Sequence, residues 1–408
     1  MKRLSSLFAL LSLSLMARED GLHEKALALH HRIFTLDTHC DTPMRMSDRW
    51  DVAVRHEPGG RASGCQDLVR MKEGGLASSF FAVFVGQGPR TPAGNLDAKT
   101  RALRVLDRLD RMFAEHGDLC ERALSPADAR RIHGTGKRAI FLGLENGYPL
   151  GLDIANVELF FRRGIRYITL AHTSDNDLAA SSTESARRRD TGLTELGRRV
   201  VARMNELGMM VDVSHISDQA FADVLKVTKA PVLASHSCAR ALCDSPRNLT
   251  DSQLRALKKN GGVIQLCILG DYVKRSPLDS GRARAEQDLR RRVQALGGWN
   301  AIPDEKIRKG FEEEWEALGE KFRHELPCIQ DAVDHIDHIV KVIGIDHVGI
   351  GTDFDGGGGL RDCYDVTQLS GITEELLRRG YSGGDIAKIW GGNALRVMEA
   401  VQAHTKAH

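Results

Sequence analysis

The sequence predicts an α/β fold, a (β/α)8 barrel, on three observations. Short apolar or β-branched runs alternate with longer amphipathic stretches from about residue 33 to the C-terminus. The alternation repeats eight times, which is the number of units in a closed parallel barrel. Glycine is frequent, at 40 of 408 residues, and proline is scarce, at 11, which suits many tight junctions between strands and helices. A doubly wound parallel sheet has the same alternation, so this pattern alone leaves both architectures open.

The strand candidates share a short apolar run that ends in polar residues. They are Ile33–His39, Ser79–Val85, Ala139–Glu145, Arg166–His172, Met209–His215, Pro231–His236, Gly262–Leu269 and His347–Asp353. Helical periodicity predicts helices between them, over Asp97–Ala114, Ile154–Arg163, Thr194–Leu207, Asp218–Val227, Asp251–Lys259 and Ile329–Ile343, with a last helix over Ser382–Ala403.

One segment, Asp271–Leu326, breaks the rhythm because it is long and highly charged. We expect it to be a helical insertion that covers part of the barrel mouth. Residues 21–408 are therefore predicted to form a single catalytic domain with an insertion at about 271–326.

The overall composition is that of a soluble globular protein. Hydrophobic residues make up 42% and charged residues 27% of the chain, which excludes a disordered tail, a collagen-like repeat and a coiled-coil rod. The 57 Lys and Arg residues nearly balance the 55 Asp and Glu residues, leaving a net charge of +2. No nucleic-acid partner is expected from this balance.

The N-terminus has the pattern of a signal peptide. Lys2 and Arg3 precede the apolar run Leu4–Met16, which is too short to span a bilayer. Residues 1–20 therefore predict export to a periplasm. The alternative is a translation start at Met16 and a cytoplasmic protein, which the eight scattered cysteines favour because they contain no C-x-x-C pair. The polar C-terminus, Gln402–His408, predicts no stable membrane anchor.

Side chains that can ligate metals stand at the ends of six strand candidates. They are His39 with Asp41, Glu145, His172, His215, His236 and Asp353. In a barrel these carboxyl ends converge on one face, where active sites form. Burying so many ionisable groups together would be costly unless a metal compensated their charge. The set exceeds one tetrahedral shell, so two divalent metals are more natural than one.

Seven segments in the same order resemble the membrane dipeptidase (renal dipeptidase) family, the M19 peptidases. They are Leu36–Pro43, Gly143–Pro149, Ala171–Asp177, Asp212–Ser217, Ser235–Ser237, Ser245–Asp251 and Gly351–Gly356. The resemblance covers nearly all the chain from about Leu22 onward. It implies a distorted (β/α)8 TIM barrel of the metal-dependent hydrolase type, a homodimer, and a binuclear zinc centre that cleaves dipeptides.

Carried over motif by motif, the resemblance assigns a ligand set for two Zn²⁺ ions. His39 and Asp41 would hold one ion, and His215 and His236 the other. Glu145 and a water or hydroxide would bridge the two. A bridging carboxylate is physically reasonable because two neighbouring cations need shared negative charge.

The resemblance also assigns the residues that handle the substrate. His172 matches the position that contacts the scissile carbonyl, and Arg247 matches the residue that binds the free C-terminal carboxylate. Asp353 matches the general acid/base beside the bridging hydroxide. The implied substrates are dipeptides with a free C-terminal carboxylate, including those with a D-residue at the C-terminal position.

Two other functions stay open at this point. Another amidohydrolase activity, on N-acyl amino acids, would use the same metals and the same arginine. A catalytically inactive metal-binding protein is also possible, although the complete set of ligands together with Asp353 and His172 speaks against it.

Several nearby polar residues have simpler interpretations. His335 and His338 lie one turn apart and are expected on a solvated helix face. Asp212 and Ser214 are expected to support the ligands rather than bind metal. Asp355 follows the last strand, and a loop role is favoured over substrate contact.

Overall fold

The computed structural model describes residues 21–57, 64–184, 190–277, 279–297, 302 and 304–405. Residues 1–20 lie outside this range, so the signal-peptide prediction stays a prediction. The described strands are β1 (Leu36–Cys40), β2 (Ser78–Phe84), β3 (Cys120–Arg122), β4 (Arg138–Glu145), β5 (Ile165–Thr169), β6 (Met210–Asp212), β7 (Leu233–Ser237), β8 (Val263–Leu266) and β9 (Val348–Ile350).

Eight of these strands form a nearly closed parallel barrel. Their order is β1-β2-β4-β5-β6-β7-β8-β9, and each pair of neighbours in this order is parallel. The ring closes where Cys40, the last residue of β1, forms a parallel bridge with Phe354, which lies beyond the end of β9. The Asp353 amide donates to the His39 carbonyl at 3.0 Å across this seam. The predicted barrel is confirmed, and the doubly wound alternative is wrong.

The strands differ from the prediction at their ends. The strand candidates that ended at His172, His215 and Asp353 stop three residues earlier, at Thr169, Asp212 and Ile350. One strand, β3, was not predicted because its residues Cys120–Arg122 form no apolar or alternating run. It pairs with the first residues of β4, before the point at which β5 begins to pair.

Helices surround the barrel, and most begin at a capping side chain. Thr194, Ser217 and Thr250 each accept a hydrogen bond from an amide in the first turn of the helix that follows. The helices are α1 (21–32), α2 (Leu68–Glu73), α3 (Pro92–Glu115), α4 (Pro126–Gly134), α5 (Ala155–Arg162), α6 (Glu195–Leu207), α7 (Asp218–Val227), α8 (Asp251–Asn260), α9 (Gly270–Val273), α10 (Gly281–Ala295), α11 (Glu305–Lys321), α12 (Ile329–Ile343), α13 (Ser370–Arg378), α14 (Gly383–Ala387) and α15 (Asn393–His404).

The last predicted helix, Ser382–Ala403, is in fact interrupted. A π-helical turn over Lys388–Gly392 separates α14 from α15, and Gly391 has non-helical backbone angles. Gly391 packs against the backbone of Phe34 and the side chain of Leu36, so this break lets the chain approach β1 closely. Helix α15 then seals the amino-terminal end of the barrel interior, where its apolar side chains join those of the strands.

The charged segment 271–326 contains α10 and α11, which pack against each other through their own small apolar cluster. Leu289 and Val293 of α10 are buried there beside Ile302, and Trp315 of α11 packs against them. The segment lies between β8 and β9 in the chain, and Arg308 of α11 lines a cavity together with residues of α3.

Within the described residues, no helix is both long and apolar enough to cross a bilayer.

Candidate active site

The seven predicted ligand-type side chains do come together, at the carboxyl ends of the strands. Glu145 lies at their centre. Its Oε1 is 3.2 Å from Nε2 of His215 and 3.6 Å from Nε2 of His236, and its Oε2 is 3.6 Å from Nε2 of His39. His172 reaches the same carboxylate, with Nε2 3.5 Å from Oε1. One carboxylate thus connects four imidazoles from four different strand ends.

Two groups of potential ligands share Glu145. One consists of His39, Asp41 and Glu145, and the other of Glu145, His215 and His236, with the ligand atoms of each group within 4.8 Å of one another. Asp353 forms a third such group with His39 and His236. Its Oδ1 lies 3.9 Å from Nε2 of His39. All of these residues are buried.

The backbone turns sharply at two of these residues. His215 has a φ of 69° and Asp353 a φ of 63°, in the left-handed region that residues other than glycine rarely adopt. These two residues lie beyond the ends of β6 and β9, where the chain turns and both side chains join the ligand cluster. Gly356 allows the turn after Asp353 to fold over the site, since a Cβ there would lie 2.2 Å from Oδ2 of Asp41.

Two of the histidines, His39 and His236, are oriented by contacts to their second ring nitrogen. Nδ1 of His39 lies 2.8 Å from the Tyr167 hydroxyl, and Nδ1 of His236 lies 2.8 Å from Oγ of Ser235. Ser235 in turn donates to Oδ2 of Asp212 at 2.7 Å. Contacts of this kind fix the ring orientation and the tautomer of a ligating histidine. Asp212 therefore supports His236 through Ser235, as the sequence indicated.

Buried charges dominate the electrostatics. Burial opposes the ionised form of Glu145, but the surrounding His39 and His172 lower its pKa well below the usual range. Burial, with Arg247 as the next cause, lowers the pKa of His215 well below its ordinary value. Burial and then His39 do the same for His236. For Glu145, His215 and His236, an ionised carboxylate beside neutral imidazoles is the protonation state that binds divalent cations.

The pKa shifts of Asp41, Asp353 and His39 indicate a site that favours bound positive charge. Burial first, and Glu145 second, raise the pKa of Asp41 to about 6. Burial is also the main cause of the raised pKa of Asp353. For His39, burial favours the neutral ring, but Tyr167 and Glu145 outweigh it and raise the pKa. A divalent cation would satisfy the same negative field.

A further observation indicates that these donor atoms fit a metal ion. Nε2 of His39 and Oδ1 of Asp41 are buried and have no hydrogen-bond partner in the described part of the chain. Nε2 of His215 and Nε2 of His236 converge to 2.8 Å, so both rings point at one position. Imidazole and carboxylate donors of this kind are the ligands that Zn²⁺ takes in hydrolytic sites.

A cavity of about 600 Å³ opens above this cluster. Its walls include Glu145, His172 and Asp353, together with apolar and aromatic residues that the sequence did not single out. Those additional residues are Met44, Phe84, Leu269 and Tyr272. They come from the loop after β1, the end of β2 and the segment after β8, which carry no polar motif that would have marked them.

Arg247 lies behind Tyr272 rather than on the open wall of the cavity. Its guanidinium carbon is 5.1 Å from the centre of the Tyr272 ring, and its Nη2 donates to the His236 carbonyl at 3.1 Å. The side chain is buried, its Nε has no hydrogen-bond partner, and it forms no ion pair with any described carboxylate. A buried cation without an anion is poised to bind one.

The other candidates lie outside the cluster. His335 is buried, contrary to the prediction of a solvated face, because its ring bonds the Ala239 amide and the Val273 carbonyl. His338 pairs with Asp251 at 2.7 Å. Although Asp355 borders the cavity, its carboxylate accepts bonds from Thr42 and from the Cys65 amide. A loop-holding role for Asp355 agrees with these contacts.

Seven of the eight cysteines are buried thiols. Cys328 is half-buried, and none of the eight forms a disulfide.

Comparison with known proteins agrees with this geometry. Residues 23–408 match the family described as membrane dipeptidase (peptidase family M19). Dipeptidase tcpJ of Claviceps purpurea is 30% identical over 373 residues, which cover 90% of this chain and 76% of that protein. Dipeptidase 3 of Rattus norvegicus is 30% identical over 393 residues, which cover 94% of this chain and 68% of that protein.

Solved structures show the same barrel. The probable dipeptidase PvdM from Pseudomonas aeruginosa superimposes with a TM-score of 0.81 and 33% identity, covering 94% of this chain and 99% of that one. A dipeptidase described as a metallopeptidase of family M19 gives a TM-score of 0.71 at 26% identity, with 91% and 99% of the chains covered. The sequence match, the barrel and the histidine–carboxylate cluster agree, and the chain belongs to the membrane dipeptidase family.

Proposed function

We propose that this metal-dependent dipeptidase binds two zinc ions and cleaves dipeptides that carry a free C-terminal carboxylate. His39 and Asp41 would hold one ion, His215 and His236 the other, and Glu145 would bridge them. The observation that supports this most directly is that one buried carboxylate is shared by two separate groups of ligand atoms. Five ligands also exceed what one tetrahedral ion requires.

The cations would supply an acidified water as nucleophile and would polarise the scissile carbonyl. Asp353 would accept the proton of the attacking water and pass it to the leaving amine, the usual task of a general acid/base. Its carboxylate borders the cavity and lies within the ligand cluster, so it can reach both.

His172 would stabilise the oxyanion that develops on the carbonyl. Its side chain is 19% exposed, whereas those of His39, His215 and His236 are 0%, 6% and 1% exposed. It is therefore the histidine of the cluster that is most available to substrate. A pre-positioned donor of this kind stabilises the transition state more than the ground state.

Arg247 would pair with the C-terminal carboxylate of the substrate. Its charge has no carboxylate partner among the described residues, and the Tyr272 ring in front of it borders the cavity. This pairing would limit substrates at their C-terminal side. The family resemblance adds that a D-residue at this position is accepted.

The test is a library of dipeptides in L–L and L–D configurations, assayed with zinc added to the purified protein. We expect hydrolysis of free dipeptides and little activity on the same sequences with an amidated C-terminus. A matched panel of N-acyl amino acids separates this function from the related amidohydrolase activity. Faster turnover of that panel than of every dipeptide would contradict the proposal.

We also propose that the protein is exported and forms a homodimer. Export rests on the charged and apolar pattern of residues 1–20, and the dimer rests on the family resemblance. Sequencing the N-terminus of protein recovered from the periplasm would test cleavage, and light scattering would test the dimer. An uncleaved cytoplasmic protein would contradict export, and a monomeric mass would contradict the dimer.

A further inference from the structure

A second cavity, of about 960 Å³, lies beside the first and is lined by arginine. Arg101, Arg104, Arg108 and Arg111 come from α3, and Arg308 comes from α11 of the insertion. We call these five residues and the space between them the arginine cleft. Spacings of three, four and three residues place the four α3 arginines on one face of the helix.

Few carboxylates neutralise the positive charge of this face of α3. Arg101 pairs with Asp97 one turn away, but in the described part of the chain Arg104, Arg108 and Arg111 have no ion pair with a carboxylate. Asp107 also lines the cleft, yet its Oδ1 accepts a bond from Arg163 at 2.8 Å. Like charges three or four residues apart destabilise a helix. A cleft that retains them is therefore suited to an anion.

The arginine cleft adjoins the site of chemistry. Met44 and Phe84 line both the cleft and the active-site cavity. The Phe84 ring also packs against His172, with the ring centres 4.7 Å apart. Tyr272, which stands in front of Arg247, lines the active-site cavity but not the cleft. The cleft thus meets the cavity at a different wall from the one assigned to the C-terminal carboxylate.

We propose that the arginine cleft binds an acidic side chain on the N-terminal residue of the dipeptide, so that acidic dipeptides are preferred substrates. This rests on the proposed function, which places the C-terminal carboxylate at Arg247. The other residue of the substrate then lies toward Met44 and Phe84, beyond which the arginines begin. The same positive field would attract anionic substrates from solution.

The experiment compares kcat/KM for L-Glu-L-Ala and L-Gln-L-Ala, which differ by one charge and have nearly the same shape. We expect the zinc-loaded wild type to prefer the glutamate substrate by roughly tenfold or more, and to lose much of this preference as salt shortens the range of the field. The variant Arg104→Gln/Arg111→Gln should bring the ratio close to one. Its kcat/KM for L-Gln-L-Ala should fall far less than its kcat/KM for L-Glu-L-Ala.

Two further variants make the result specific. Arg199→Gln/Arg255→Gln removes the same charge from exposed positions on α6 and α8 that line neither cavity, and it should keep the preference. Arg104→Lys/Arg111→Lys keeps the charge and should retain part of it. These variants separate a local site from an effect of net charge.

Failure of the cleft proposal and failure of the proposed function give different results. Equal kcat/KM for the two substrates in wild type, or a preference that Arg104→Gln/Arg111→Gln retains, would overturn the cleft assignment while leaving dipeptide hydrolysis intact. Cleft-dependent binding of a labelled oligonucleotide without a glutamate preference would overturn it in favour of a polymer. Absence of hydrolysis for every dipeptide in the library would instead overturn the proposed function.

Discussion

The Tyr167 hydroxyl lies 2.8 Å from Nδ1 of His39, on the side of the ring opposite the ligand cluster. Tyr167 is fully buried inside the barrel on β5, where its ring fills the space left by Gly143 on β4. A Cβ on Gly143 would lie 2.1 Å from the Tyr167 ring, so the glycine is needed for this arrangement. The barrel interior thus fixes the orientation of the first predicted metal ligand.

Tyr167→Phe should weaken metal binding without removing a ligand. The variant keeps the ring but loses the contact that orients His39, and losses of this kind typically cost about tenfold to a hundredfold in metal affinity. Competition with a chelator would measure the loss. Tyr381→Phe, which removes a hydroxyl bonded to Asp337 far from the cluster, should leave metal affinity unchanged. Equal affinity in Tyr167→Phe and wild type would show that this contact does not position His39.

His215→Ala should remove one divalent ion and abolish activity. Elemental analysis of the wild type should give close to two ions per chain, since two ligand groups share Glu145. The control is His338→Ala, which changes a histidine paired with Asp251 outside the cluster and should keep both ions. One ion or none in active wild-type protein would rule out the binuclear assignment.

Most of the barrel and of the ligand cluster could be predicted from the sequence, because both depend on patterns that repeat along the chain. Polar side chains at the ends of apolar runs predict convergence whenever the strands are parallel. The ends of β5, β6 and β9 were placed three residues too late, since local propensity does not show where strand pairing stops. It also does not reveal the positive φ of His215 and Asp353. The short strand β3 gave no periodic signal at all.

The residues that line the substrate-facing walls of the cavity could not be predicted from the sequence, for a similar reason. Phe84 and Tyr272 look like ordinary core residues in their own segments. They line the cavity only because β2 and the segment after β8 meet there. The four arginines of α3 are visible as a helical repeat, but their relation to Phe84 depends on the packing of α3 and α11 around the mouth.

Arg247→Met should reduce kcat/KM for free dipeptides by roughly two to four orders of magnitude, the scale of losing a charge-assisted pair in a buried site. The reason is that Arg247 has no other carboxylate partner in the described chain. Amidating the dipeptide should harm the wild type to a similar degree and add little further loss in the variant. Equal turnover of free and amidated dipeptides by wild type would remove Arg247 from substrate binding.

Asp353→Asn separates proton transfer from metal binding. Asparagine keeps the shape of the side chain but cannot carry a proton, so kcat should fall by at least about a hundredfold. Both metals should remain, since five other ligands are present. The acidic limb of the pH profile, which reports loss of the base form as pH falls, should flatten.

Elemental analysis decides between the two roles of Asp353. Loss of one metal in Asp353→Asn would make it primarily a ligand, in line with its place beside His39 and His236. Activity within a few-fold of wild type would exclude it from the mechanism.

His30 should make the folded state sensitive to acid. Its ring is buried against Trp390, with the ring centres 4.7 Å apart, and Nδ1 lies 2.8 Å from the Thr373 hydroxyl. Burial, assisted by His31, lowers the pKa of His30 to about 3. In the unfolded chain, His30 therefore binds a proton near pH 6.5, whereas in the folded chain it binds one only near pH 3.

The free energy of unfolding should consequently fall as pH drops from about 6.5 toward 3, with His30 contributing up to about 1.4 kcal/mol per pH unit. The variant His30→Gln cannot titrate, so its stability should decline less steeply over this range, whatever its starting value. Carboxylates contribute equally to both proteins, and the difference in slope isolates the histidine. His324→Gln, at a side chain that is 73% exposed, should keep the wild-type slope. Urea unfolding at a series of pH values would measure the slopes, and parallel curves for His30→Gln and wild type would show that His30 is not the group responsible.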